Sequence, residues 1–220
     1  MRLTFDKWDW VFMAIAIAEL CCVIWYQDGR FITKPLVMIA LIGYYATKSP
    51  IQSLWFVIAL VFAWLGDVFL MFDGFFLWGL GSFLLMQVIY AVIFSKHRQH
   101  TSREQWLTAF AIMFIFAGSI YFMIQQEINM LIPVAVYSAV ISAMVVAGIL
   151  RRKNGSHYTW ITAGVLSFLI SDAALGFNKF VSDFEGSGFV VMSTYILAQY
   201  CIVRGMILYE LQSASTSNNP

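Results

Sequence analysis

The feature that most constrains this chain is a succession of eight apolar runs, each 16 to 24 residues long. They are Trp10–Tyr26, Phe31–Ala46, Ile51–Phe72, Phe75–Ser95, Gln105–Ile124, Met130–Leu150, Tyr158–Phe177 and Gly188–Leu211. A helix crosses a bilayer with about 20 apolar residues, and in hydrocarbon each backbone N–H and C=O must find its partner within the element. Only 11% of the 220 residues are charged and the mean hydropathy is +0.78, whereas a soluble domain carries about 25% charged residues. The fold class predicted is all-α: a polytopic membrane protein built as a bundle of eight transmembrane helices. The second run is short and holds Lys34 and Pro35, which predicts a tilted or irregular start.

Short turn segments (QDGR, TKSP, DG, SKHRQHTSRE, QQEIN, RRKNGSH and SDFEGSG) separate the runs. They leave no room for a soluble domain, so residues 1–211 are expected to form one transmembrane domain, with 212–220 a polar disordered tail. With eight spans, Arg2, Lys7, Lys48, Lys96, Arg98, Arg103, Arg151, Arg152 and Lys153 share one side, against Arg30, Lys34 and Lys179 on the other. The positive-inside rule then places both termini in the cytoplasm. The first run lacks a small-residue cleavage site and reads as a retained helix rather than a signal peptide. Cys21, Cys22 and Cys201 fall in apolar runs and read as small hydrophobes, not as a disulfide framework. A net charge of +1 carries no nucleic-acid signal; the partners expected are membrane lipids.

Two stretches place a carboxylate where hydrocarbon is expected: WLGDVFLMF at Trp64–Phe72 and LISDAALGF at Leu169–Phe177. Asp67 and Asp172 lie 105 positions apart, as do Tyr90 and Tyr195. A four-helix unit duplicated once, in parallel orientation, would produce this spacing. Depth adds to it. Asp67 and Asp172 each fall about five residues short of an outer helix end, Glu19 about seven, Lys34 about three, and Tyr137 and Tyr195 about seven residues into inward-running helices. All fall within a band roughly 5–10 Å below the outer surface, which predicts a water-filled pocket opening toward the outer face. An ionisable residue inside a membrane helix costs about 2.5–3.5 kcal/mol on insertion scales, so this concentration calls for partners or a purpose. Helix-knitting ion pairs are the plainer account of Lys34 with Asp67 or Glu19. Arg204, in the inner half of its helix, is expected to snorkel and stands outside the pocket.

The chemistry open to such a pocket is narrow. His97, His100 and His157 fall in predicted loops, so the pocket holds no imidazole for a zinc centre or for activating Ser171. No metal site and no cofactor are expected. Two carboxyl groups in one low-dielectric site favour an acid beside a carboxylate, the pairing glycosidases use to break acetal-type bonds. A proton-coupled transporter or a lipid-binding protein would draw on the same residues, and the pattern alone does not choose among them.

The segments TKPLVM (Thr33–Met38), GDVFL (Gly66–Leu70), FLWGLGSFLLMQVIYAVIF (Phe76–Phe94), PVAVY (Pro133–Tyr137), GVLSFLISDAAL (Gly164–Leu175) and TYILAQ (Thr194–Gln199), in this order, resemble the YhhN family of lysoplasmalogenase-like membrane proteins. The resemblance implies an eight-helix enzyme of a bacterial cytoplasmic membrane that needs no cofactor. It would hydrolyse the vinyl ether bond of lysoplasmalogen, or of a related ether lysolipid, to a fatty aldehyde and a glycerophospho head group. It carries over Asp67 and Asp172 as catalytic residues, one as general acid, with Lys34, Tyr137, Tyr195 and Gln199 around the substrate. Where the family usually has histidine this chain has Gln87, in FLLMQVIY; glutamine can hydrogen-bond there but cannot exchange a proton near neutral pH. Tyr90, Glu19 and Asn178 complete the set of pocket candidates.

Overall fold

A computed structural model of the protein describes residues 5, 7–96, 102–124, 131–151 and 155–217. Among these residues eight α-helices follow one another: α1 (Lys7–Trp25), α2 (Arg30–Lys48), α3 (Leu54–Phe69), α4 (Phe76–Ser95), α5 (Arg103–Ile124), α6 (Leu131–Ile149), α7 (Ser156–Phe180) and α8 (Ser187–Ser217), with a 3-10 turn at Gln27–Gly29. No strand occurs among the described residues. Among the described residues five helices are long and apolar enough to cross a membrane, namely α1, α4, α6, α7 and α8. Helix α3 is apolar but only 16 residues long, about 24 Å against a hydrocarbon core of ~30 Å. Large apolar side chains cover the outside, with Trp25 76% and Trp78 67% exposed. In water such a surface would drive association, and in a bilayer it is the solvated face. The chain is an integral membrane protein.

Several expectations need correction. Helix α2 runs unbroken through Pro35; the irregular backbone lies just before it, in the 3-10 turn. Helix α8 continues to Ser217, so the segment expected to be disordered from 212 is helical that far. His157 is not in a loop but buried in the first turn of α7, edge-on to the Tyr209 ring. Arg2, His97, Arg98, His100, Arg152 and Lys153 lie outside the described residues.

Periodicity explains which faces turn inward. On α3 the buried residues are Phe56, Ala59, Leu60, Ala63, Gly66 and Asp67, one stripe at helical spacing; α2 buries Lys34, Val37, Met38, Leu41 and Tyr45 in the same manner. Helix α8 is central: 67% of its apolar window is buried, against 22% for α1, and it packs on α1, α2 and α7. Apolar side chains gain little from leaving lipid for protein, so close packing and hydrogen bonds must hold such helices together. Gly164 and Gly205 supply the close approach of α7 and α8. A Cβ on Gly164 would sit 2.9 Å from the Ala198 carbonyl oxygen, and one on Gly205 would sit 3.1 Å from the Ile161 nitrogen. At the α3–α4 crossing Gly66 lies against the Phe83 ring, where a Cβ would come within 2.8 Å.

Arg204 does not snorkel. It is buried on α8, pairs with Asp9 of α1 at 2.7 Å, meets the Tyr200 and Tyr44 hydroxyls, and lies over the Trp160 ring. Tyr200 also donates to Asp9 at 2.7 Å. The cluster is a structural knot, because each charge taken from water has a partner beside it.

Candidate functional site

Helices α2, α3, α4, α7 and α8 enclose a cavity of about 260 Å³ at the end of the bundle where α3 and α7 finish and α2, α4 and α8 begin. Asp67 and Asp172 both line it, with Lys34, Tyr195 and Asn178. Phe83, Leu70, Leu175 and Met192 supply apolar wall. The small residues that precede the two aspartates act differently. Gly66 lets Phe83 close against α3 beside Asp67, whereas Ser171 donates its hydroxyl to the Val191 carbonyl at 2.9 Å and ties α7 to α8 beside Asp172.

Each aspartate has its own company. Asp67 accepts a hydrogen bond from the Tyr195 hydroxyl at 2.7 Å, and its other oxygen stands 3.8 Å from the Lys34 ammonium. Asp172 accepts from the Tyr137 hydroxyl of α6 at 2.6 Å and from the Gln87 amide of α4 at 3.2 Å. The same amide donates to the Tyr137 oxygen at 2.7 Å. The amide oxygen of Gln87 is buried and has no hydrogen-bond partner among the described residues, so a polar acceptor remains unused there beside Asp172. Below Tyr195, the Tyr90 hydroxyl donates to the Gln199 side-chain oxygen at 3.1 Å, and the Gln199 amide points at Met86. These last two residues brace the site and do not line it.

Glu19 is placed differently from the other candidates. It is fully buried on α1 and accepts from Arg30 at 3.2 Å and from the Thr33 hydroxyl, so Arg30 stands between it and the cavity. Arg30, Lys179 and Ser187 also line the cavity. Sequence reasoning counted the two cations as loop bases on the outer side. Helical spacing could have found them, since Arg30 is one turn before Lys34 on α2 and Lys179 two turns after Asp172 on α7. Lys179 lies 5.3 Å from the Phe76 ring centroid, which holds it at the rim. The 105-residue repeat is not reflected in the pairing, because Tyr195 serves Asp67 while Tyr90 serves Gln199 rather than Asp172. Among the described residues no group of three or more His, Cys, Asp or Glu side chains is placed to hold a metal.

The fold and the cavity define a class: a helical membrane protein with two carboxyl groups, a lysine and a phenol facing one pocket at one end of the bundle. The model of the YhhN family matches residues 29–206, and the chain belongs to that family. It is 27% identical over 177 residues to a Mycobacterium bovis protein named lysoplasmalogenase, covering 76% of this chain and 67% of that one. Human lysoplasmalogenase TMEM86A is 30% identical over 154 residues (66% of this chain, 62% of that protein), and human lysoplasmalogenase TMEM86B is 25% identical over 195 residues (83% and 80%). No solved structure matches the chain significantly.

Proposed function

We propose that this protein is an intramembrane hydrolase that cleaves the vinyl ether bond of lysoplasmalogen or a related ether lysolipid. The observation that carries the reading is that Asp67 and Asp172 face one cavity in unlike surroundings. Asp172, with neutral donors only, is the general acid. Its proton goes to the alkenyl carbon remote from the ether oxygen, leaving an oxocarbenium ion. Asp67, held as a carboxylate by Lys34, stabilises that cation and takes a proton from the attacking water. The hemiacetal then collapses to a fatty aldehyde and a glycerophospho alcohol, with one water consumed and no cofactor. Arg30 and Lys179 at the cavity lining suit the lipid phosphate. A pocket of about 260 Å³ lies below the ~300–1,000 Å³ of ligand-enclosing sites, so it encloses the reacting ether and head group while the alkyl chain lies outside. The reading includes eight spans, a bacterial cytoplasmic membrane and cytoplasmic termini, which put the cavity at the outer face.

The test is aldehyde release from lysoplasmenylethanolamine by the purified protein. Wild type should release aldehyde, and Asp67→Asn and Asp172→Asn should lose most of that release while remaining folded, Asp172→Asn with near-wild-type melting and Asp67→Asn with the lower melting point that an unpaired buried Lys34 brings. Full activity in both variants defeats the assignment. Uptake into proteoliposomes without product would point to a transporter.

A further inference from the structure

At the opposite end of α3, α4 and α8 lies a second cavity that the proposed chemistry does not use. It holds about 540 Å³, twice the volume of the first. Its wall is apolar along Trp55, Val88, Val92 and Met206, and Trp55 is 61% and Val92 50% exposed, so the cavity opens sideways onto the lipid-facing surface. Its inner end is charged. Lys96 and Glu210 line it, with Glu210 buried and already accepting from the Tyr45 and Ser49 hydroxyls.

Behind one wall is a further cation. Arg151 is 1% exposed, and its guanidinium lies 5.2 Å from the centroid of Tyr209, a ring that lines the cavity, and 5.3 Å from that of Phe94. Among the described residues none of its three side-chain nitrogens has a hydrogen-bond partner. A buried guanidinium keeps five N–H donors and a full charge, and both are costly without an acceptor. The result is an apolar groove open to the bilayer that ends on Lys96 and Glu210, with the Arg151 guanidinium behind the Tyr209 ring. A volume of about 540 Å³ falls in the ~300–1,000 Å³ range of single-ligand sites and suits one hydrocarbon chain better than two.

We propose that this groove is a second lipid site, distinct from the Asp67–Asp172 cavity, that takes a single-chain phospholipid. Its chain lies along Trp55, Val88 and Val92, and its phosphate meets Lys96 within the field of Arg151. The proposal does not depend on the hydrolase reading. It is tested on the full-length protein in nanodiscs with a lysophosphatidylethanolamine that carries a diazirine on its chain, with labelled peptides mapped by mass spectrometry. Label is expected on the peptides carrying Trp55, Val88–Val92 and Met206. Val92→Trp, at an exposed position, should fill the groove and reduce that label about tenfold, with label near Asp67 and Asp172 unchanged. Lys96→Gln, also exposed, should reduce label from the lysolipid several-fold but leave label from a phosphate-free diazirine alcohol of equal chain length unchanged. Labelling insensitive to Val92→Trp overturns the site. Equal labelling by the alcohol and the lysolipid, with no effect of Lys96→Gln, overturns phosphate recognition. Aldehyde release from the same samples is scored separately, so failure of the catalytic reading leaves the labelling result standing.

Discussion

Asp67 and Asp172 sit in near-matching sequence and line one cavity, yet their neighbours differ in charge. Asp67 has a phenol and an ammonium. Asp172 has a phenol and an amide, and among the described residues no cation comes within ion-pair distance of it. Two carboxyl groups with the same partners would compete for one role. Unlike partners let one remain an anion and the other carry a proton, which is what acid catalysis followed by water attack requires. A carboxylate that merely knits helices resembles Asp9 instead, paired with Arg204 and accepting from Tyr200.

The comparison can be broken at its most sensitive point first. Loss of a general acid typically costs about 10²–10⁴ in rate, so Asp172→Asn should fall by that factor and Asp67→Asn by less. Equal losses, or the reverse order, would remove the division of roles. Next in size is the ion pair. Lys34→Met leaves the buried Asp67 carboxylate without its cation and should destabilise the protein by about 3–5 kcal/mol, while the double variant with Asp67→Asn recovers most of that. Additive losses in a thermal-melting cycle would show that the pair does not couple. The smallest effect separates the two phenols. Tyr195→Phe removes a bond to a charged group, about 1.5–3 kcal/mol, and Tyr137→Phe removes two between neutral groups, its bond to Asp172 and the one from Gln87, about 1–3 kcal/mol together. The Tyr195→Phe loss should therefore shrink when Asp67 is already Asn, while the Tyr137→Phe loss should persist when Asp172 is already Asn; equal shrinkage in both backgrounds would mean that the two carboxyl groups carry the same charge.

Much of this site was legible because hydrocarbon makes polar residues conspicuous. Asp67, Asp172 and Lys34 stand out in apolar runs, and their common depth brought them to one cavity before any contact was known. The same rule located Glu19 at the right depth but could not show which way it turns, and it turns to Arg30. Depth says nothing of rotation about the helix axis, which packing decides. The repeat pointed to mirrored Asp–Tyr pairs, but Tyr137 of α6 and Gln87 of α4 occupy the place beside Asp172. The pairing of Asp9 with Arg204 was illegible for a related reason: the two are 195 positions apart, and only the packing of α1 on α8 brings them together. Arg30 and Lys179 were hidden by their nearness to helix ends, where a cation reads as a loop base.

The most direct test of the central claim, that a side-chain acid protonates the vinyl ether carbon in this cavity, is aldehyde release carried out in D₂O with immediate trapping of the product. The account predicts a slower rate than in H₂O and a single deuterium on the carbon next to the carbonyl, with both rate and label lost in Asp172→Asn. Aldehyde formed without deuterium at that carbon, or formed by Asp172→Asn at the wild-type rate, would contradict it.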